Sequence, residues 1–269
     1  MLPKKWSVLA LGIAAVYLIS LIIQHAMRML QTHDTGGISC ELLPYLSHPA
    51  KHEWKTGDII LWSRENWQEN FIYRPLSNCD MPHSSFVVVD ERSGEVGVIS
   101  LKWTPDSYTA SSVKKTIKHM FPCVPLRVYL SKDGKHSVDR MVIIPINIHI
   151  SNRMVYRALE SLILEYRAPF LTTVAQIFWF NKHLYREKEW VCSNFILQIL
   201  ASAGVLSVYR SCRDAFRPCA LYEKFLKGQT NPPYFYNAPF ALDLENISWP
   251  RDVPFKRSSV CEYFEKKNK

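Results

Sequence analysis

Apolar positions fall into short runs in the first half of the chain and into helical spacing after about residue 150. Thr56-Gly57-Asp58 turns the chain into Ile59-Ile60-Leu61-Trp62, a short apolar strand. Residues 63–82 are polar and aromatic with Pro75 and Pro82, and read as a loop or broken helix. Ser84–Val89 is β-rich, Asp90–Glu95 holds the turn pair Ser93-Gly94, and Val96–Leu101 returns as the partner strand. Leu126–Leu130, a Lys132-Asp133-Gly134-Lys135 turn and Met141–Ile148 read as a second hairpin, and Pro145 sets its last strand at an edge or a bulge.

The period then changes. Asn152 is a candidate N-cap for a helix to about Arg167 that carries Val155, Leu159, Leu162 and Ile163 on one face. Pro169 closes it, and 171–180 reads as a second short helix. A third helix runs from Cys192 to Ala203 and is stopped by Gly204. The remainder is rich in Pro and aromatic residues, and mostly irregular structure is expected there. Strands followed by helices predict an α+β fold with an antiparallel sheet packed on helices.

One run stands outside this domain. Trp6 to Ile23 is eighteen residues without a charge, preceded by Lys4 and Lys5 and followed by Gln24, His25 and Arg28. Such a run suffices to cross a hydrocarbon core of ~30 Å. A secretory leader has an apolar region of about 7–15 residues and a small-x-small cleavage site; Ile22–Met27 offers none. The expectation is one N-terminal transmembrane helix, with a cleaved leader, a buried hairpin or an interfacial helix as rivals. The two lysines place the N-terminal stub in the cytoplasm and the bulk of the chain in a lumen, the periplasm or the extracellular space. The expected organisation is a stub and anchor at 1–30, a linker at 31–53, the domain at 54–228 and a C-terminal extension at 229–269.

Composition narrows the classes. Hydrophobic content of 48% with 21% charged residues is that of a globular chain, not a disordered one. Residues 1–30 hold three bases and no acids, so the rest carries 30 bases against 24 acids, a net +6. The positive charges are scattered, and without an aromatic-interleaved basic stripe no nucleic-acid partner is expected. The membrane is the expected partner of the N-terminal helix. With no CxxC or HExxH present, neither metal nor cofactor is expected. Of seven cysteines, one catalytic thiol leaves six able to pair on the oxidising side of a membrane. The sequon Asn246-Ile247-Ser248 agrees with export.

Cys192 and His83 carry the candidate chemistry. Cys192 shares the apolar helix face of Phe195, Ile196, Ile199, Leu200 and Ala203, at its first turn. Unpaired N–H groups and the helix dipole there favour thiolate over thiol and can donate to a developing oxyanion. His83, at the start of a strand, is placed to act as general base. Taken singly, Cys192 reads as a small core residue and His83 as a capped or exposed histidine.

GDIILW (Gly57–Trp62), PHSSFVVVD (Pro82–Asp90) and WVCSNFILQIL (Trp190–Leu200), in that order, resemble the circularly permuted NlpC-like papain-fold superfamily. That superfamily includes the YiiX-like bacterial proteins and the lecithin:retinol acyltransferase family. The match covers roughly residues 54–205, and Cys-Ser-Asn is closer to the YiiX-like form than to the acyltransferase form. The resemblance implies a permuted papain-like domain with Cys192 as nucleophile and His83 as base, acting on an amide or ester of a lipid, lipopeptide or peptide. Where the family places a polar or acidic residue to orient the imidazole, the strand VGVISLKWT has no acid. Ser100, Lys102 and Thr104 share the face of His83, and Ser100 is the candidate third residue. The rival reading is a catalytically silent binding or structural module on a membrane stalk. Trp62, Trp67, Trp103 and Trp190 are candidates for an acyl pocket or for the core.

Overall fold

Two neighbouring strands, Ile59–Ser63 and His83–Val89, have almost every residue buried. That requires cover on both faces, which is why they read as continuous apolar runs and not as an alternation. A computed structural model describes residues 12–21, 23, 45–46, 52–64, 81–101, 120–130, 138–165, 192–205, 218–221, 237–242, 244 and 261. Its strands are β1 (Tyr45–Leu46), β2 (Ile59–Ser63), β3 (His83–Val89), β4 (Val96–Ile99), β5 (Cys123–Pro125), β6 (Arg140–Ile144) and β7 (Phe240–Leu242). The helices are α1 (Leu126–Leu130), α2 (Asn152–Glu165), α3 (Cys192–Ser202) and α4 (Pro218–Leu221). The strands form one sheet in the order β1-β7-β6-β2-β3-β4-β5, antiparallel except for the β1–β7 pair. The fold is α+β, as expected.

Each face of the sheet has its own core. On one face Ile59, Leu61, Phe86, Val88, Ile99, Val142 and Ile144 pack on α2 and α3 through Val155, Leu159, Leu162, Phe195, Ile196 and Ile199. Phe121 and Phe195 stack in this layer with centroids 4.7 Å apart. On the other face Ile60, Trp62, Val87, Val98, Met141 and Ile143 meet Leu126 and Tyr129 of α1. Each fully buried side chain of this size stabilises the fold by about 1.5–3 kcal/mol, so the two layers set the register of β2 and β3.

The β3–β4 hairpin, the helix at 152 and the helix ended by Gly204, at φ +74, stand as expected. The second hairpin does not. Leu126–Leu130 is helical, Cys123–Pro125 pairs with β4, and β6 lies between β2 and β7. Pro145 stands just past β6, where its missing N–H costs no ladder bond, so it marks a strand end and not a sheet edge. The cap of α2 is also displaced by one residue. Ser151 Oγ accepts from Met154 N–H at 3.3 Å, while Asn152 Nδ2 donates to Val89 O at 2.7 Å.

β1 lies within 31–53 and β7 within 229–269, and both join the sheet. The helix expected at 171–180 and the tryptophans at 67, 103 and 190 lie outside the described residues.

The chain divides into the units Met1–Gly36 and Gly37–Lys269. In the first, 12–21 and 23 are helical, with Ile13, Val16, Leu18, Ile19 and Ile23 exposed. The rest of the expected span from Trp6 to Ile23 lies outside the described residues. Among the described residues no helix is long and apolar enough to cross a membrane, so the transmembrane helix has no support from the structure.

Candidate functional site

β3 has different neighbours at its two ends. Val87 N–H donates to Asp58 O at 2.9 Å and Val87 O accepts from Gly57 N–H at 3.0 Å, so odd-numbered β3 residues turn their backbone groups toward β2. Even-numbered residues turn toward β4, whose last pair is Ile99 with Phe86. The carbonyl of Pro82 and the N–H of Ser84 therefore face an edge that β4 does not cover.

Cys192 stands at that edge. It opens α3, which packs on β3, and its Sγ lies 3.9 Å from Pro82 O. The thiol thus reaches the backbone on either side of His83. Of the described free cysteines, Cys123 and Cys261 are buried and Cys192 retains open surface. Cys219 is disulfide-bonded to a partner outside the described residues, so the six other cysteines do not all pair.

The electrostatics run against the expected thiolate. Burial pushes the Cys192 thiol above its ordinary value. The Ser84 hydroxyl, then the backbone groups of Ser84, Ser193 and Cys192, pull it back only in part. The residue has some open surface, but the mass of protein around it is large, and desolvation exceeds the first-turn N–H groups. The resting group is the neutral thiol.

His83 is half-buried, and strand alternation puts its side chain on the face of Ser85 and Val87. Trp62, its partner across the β2–β3 ladder, stacks on the imidazole with centroids 4.3 Å apart and planes 23° from parallel. The ring leans toward β2, whereas the thiol lies on the β4 side. Among the described residues no hydrogen bond joins Cys192 to His83.

Ser100 follows β4 and falls, by the ladder register, opposite Ser85. Its hydroxyl lies 2.7 Å from Ser85 Oγ and 3.1 Å from Tyr129 OH. Trp62 Nε1–H donates to Ser85 Oγ at 2.8 Å. The polar chain Tyr129–Ser100–Ser85–Trp62 thus ends on the ring that holds His83. Burial raises the Tyr129 hydroxyl above its ordinary value, in part offset by Ser100.

Two neighbours of the candidate pair hold places that the sequence does not single out. Trp62 supports the imidazole, a role that its place in an apolar run did not reveal. Ser84 was passed over although alternation alone puts it on the face toward α3. Among the described residues no group of three His, Cys, Asp or Glu side chains could hold a metal ion.

Neither a family model nor a curated protein matches the chain. Among solved structures, the metalloprotein yiiX from Escherichia coli O157:H7 is similar at 12% identity and a TM-score of 0.37, over 65% of this chain and 95% of that chain. A likeness of that size carries no argument about fold or chemistry.

Proposed function

We propose that this chain is a cysteine hydrolase or acyltransferase in which Cys192 attacks an amide or ester carbonyl and forms an acyl-enzyme. The observation that supports it is the meeting at the β3 edge, where the thiol of a half-buried cysteine at a helix start touches the backbone beside His83. The two side chains start from opposite faces of β3, so in this reading His83 leaves Trp62 and swings round the open start of the strand to the thiol when substrate enters. It takes the thiol proton and later gives it to the leaving group. A neutral resting thiol makes that base necessary. Ser100 acts through Ser85 and Trp62, not by touching the imidazole.

A lipid, lipopeptide or peptide substrate suits a membrane-anchored domain. The apolar run at 6–23 and the lysines before it support a single-pass anchor with a cytoplasmic N-terminus. The disulfide at Cys219 supports a domain on the oxidising side.

The rival reading, a silent binding module, is favoured by the imidazole resting on Trp62 and by the raised thiol. A panel of acylated lipids and peptides, run with wild type, Cys192→Ala and His83→Ala, separates the two. Turnover lost in both variants supports the enzyme. Turnover unchanged in Cys192→Ala, or none in wild type together with Cys192 labelling no faster than a free thiol, overturns it.

A further inference from the structure

Two hydroxyls lie buried at the His83 end of β3 and the start of α3. Ser84 is 2% exposed and Ser193 fully buried, and neither Oγ has a hydrogen-bond partner among the described residues. A buried hydroxyl without a partner costs stability, and a core position would serve better with alanine. Ser193 belongs to the first turn of α3. Ser84 lies on the strand face packed against that helix, between Pro82, whose carbonyl meets the thiol, and Phe86, in the layer shared with Phe195. The Ser84 hydroxyl is near enough to the sulfur to favour its anion, yet makes no bond to the neutral thiol.

We propose that Ser84 is a further catalytic residue of the Cys192 site. Its hydroxyl, with the backbone N–H groups of Ser84, Cys192 and Ser193, donates to the acyl oxygen as that atom becomes an oxyanion. The assignment rests on the acyl-transfer reading above. The thiolate electron pair forms the C–S bond, and the carbonyl π pair moves onto oxygen, where the Ser84 O–H donates. On collapse the C=O bond re-forms and the bond to the leaving oxygen or nitrogen breaks. That atom takes the proton His83 removed from the thiol. Ser84 keeps its own proton throughout. The acyl oxygen develops two bonds from the sulfur on which the Ser84 hydroxyl and these N–H groups act, which brings it among the same donors.

Two reagents on the full chain test this. Iodoacetamide alkylates a thiolate by direct displacement and passes through no oxyanion; p-nitrophenyl acetate acylates through one. Rates at Cys192 are read by mass spectrometry across pH, so that the two are compared at equal thiolate fraction. Ser84→Ala is expected to slow acylation by about 100-fold, the scale for losing one oxyanion donor, and to leave alkylation at equal thiolate fraction unchanged. Urea unfolding of Ser84→Ala, expected to match or exceed wild type, keeps a poorly folded variant from being counted as a loss of acylation. Equal slowing of both reactions reduces Ser84 to a tuner of the thiol and overturns the assignment. No slowing of either overturns it as well. If wild-type Cys192 acylates no faster than a free cysteine, the acyl-transfer reading falls and takes this assignment with it. If wild type acylates rapidly and Ser84→Ala matches it, only the assignment falls.

Discussion

The two ends of β3 are built on opposite terms. At the Val89 end, buried Asp58 accepts from Ile146 N–H at 2.8 Å on Oδ1 and from Lys55 N–H at 3.0 Å on Oδ2, with His52 Nε2 2.9 Å from the same Oδ2. Thr56 Oγ1 accepts from Val89 N–H at 2.9 Å and donates to Asn152 Oδ1 at 3.0 Å. These polar groups bond across four separate segments. At the His83 end, Ser84 and Ser193 are buried and unpaired, the thiol is held above its ordinary pKa, and the imidazole leans away. One end spends its polar groups on stability. The other leaves two buried hydroxyls without a partner among the described residues, the pattern of local inconsistency found at functional sites.

The largest effect that would sharpen this contrast is expected from Asp58→Ala. It leaves the Ile146 and Lys55 N–H groups and His52 without their acceptor, and should cost about 3–5 kcal/mol, read by urea unfolding. A loss below about 1 kcal/mol would mean that the two ends do not differ. Gly57→Ala comes next. Gly57 sits at φ +111, and a Cβ there would lie 2.7 Å from Ile146 Cδ1 and 2.9 Å from Ile150 Cδ1. Backbone strain and crowding together should cost about 1–3 kcal/mol in the same assay.

That pair also shows what the sequence could say. Gly57-Asp58 announced a turn before a strand, and the apolar runs located β2 and β3, because turn geometry and burial are local demands. The destination of the Asp58 carboxyl was not legible, since its Ile146 partner lies 88 residues away. Leu126–Leu130 misled for a related reason: an apolar pentapeptide fits a strand or a single helical turn, and packing against Trp62 and β4 decides. At the site, helical phase gave the position of Cys192 and strand phase put Ser100 on the His83 side. The thiol's charge state was misread because the first-turn N–H groups are visible in a sequence and the desolvating mass is not.

The His83 end should answer mutation with the opposite sign. Ser84→Ala and Ser193→Ala each remove a buried hydroxyl with no partner, and are expected to leave stability unchanged or raise it by about 0.5–1 kcal/mol. A loss of more than about 1 kcal/mol from either variant in urea unfolding would show that the hydroxyl is bonded after all, and the contrast between the ends would close.

The smallest expected effect is a pH dependence. The thiol pKa of Cys192 is higher folded than unfolded, so below the ordinary value of 9.0 both states are protonated and the fold keeps its full stability. As pH rises past that value the unfolded chain loses its proton first. The equilibrium then shifts toward unfolding until the pH passes the folded pKa. Tyr129 acts in the same direction, but from its higher ordinary value of 10.0. Wild type should therefore lose stability with an earlier onset than Cys192→Ala, in denaturation curves taken from pH 7 to 11. Iodoacetamide labelling of Cys192 should likewise have its midpoint above that of a free thiol. A midpoint below it would mean that the first-turn N–H groups outweigh burial, and that the His83 end of β3 is charged at rest.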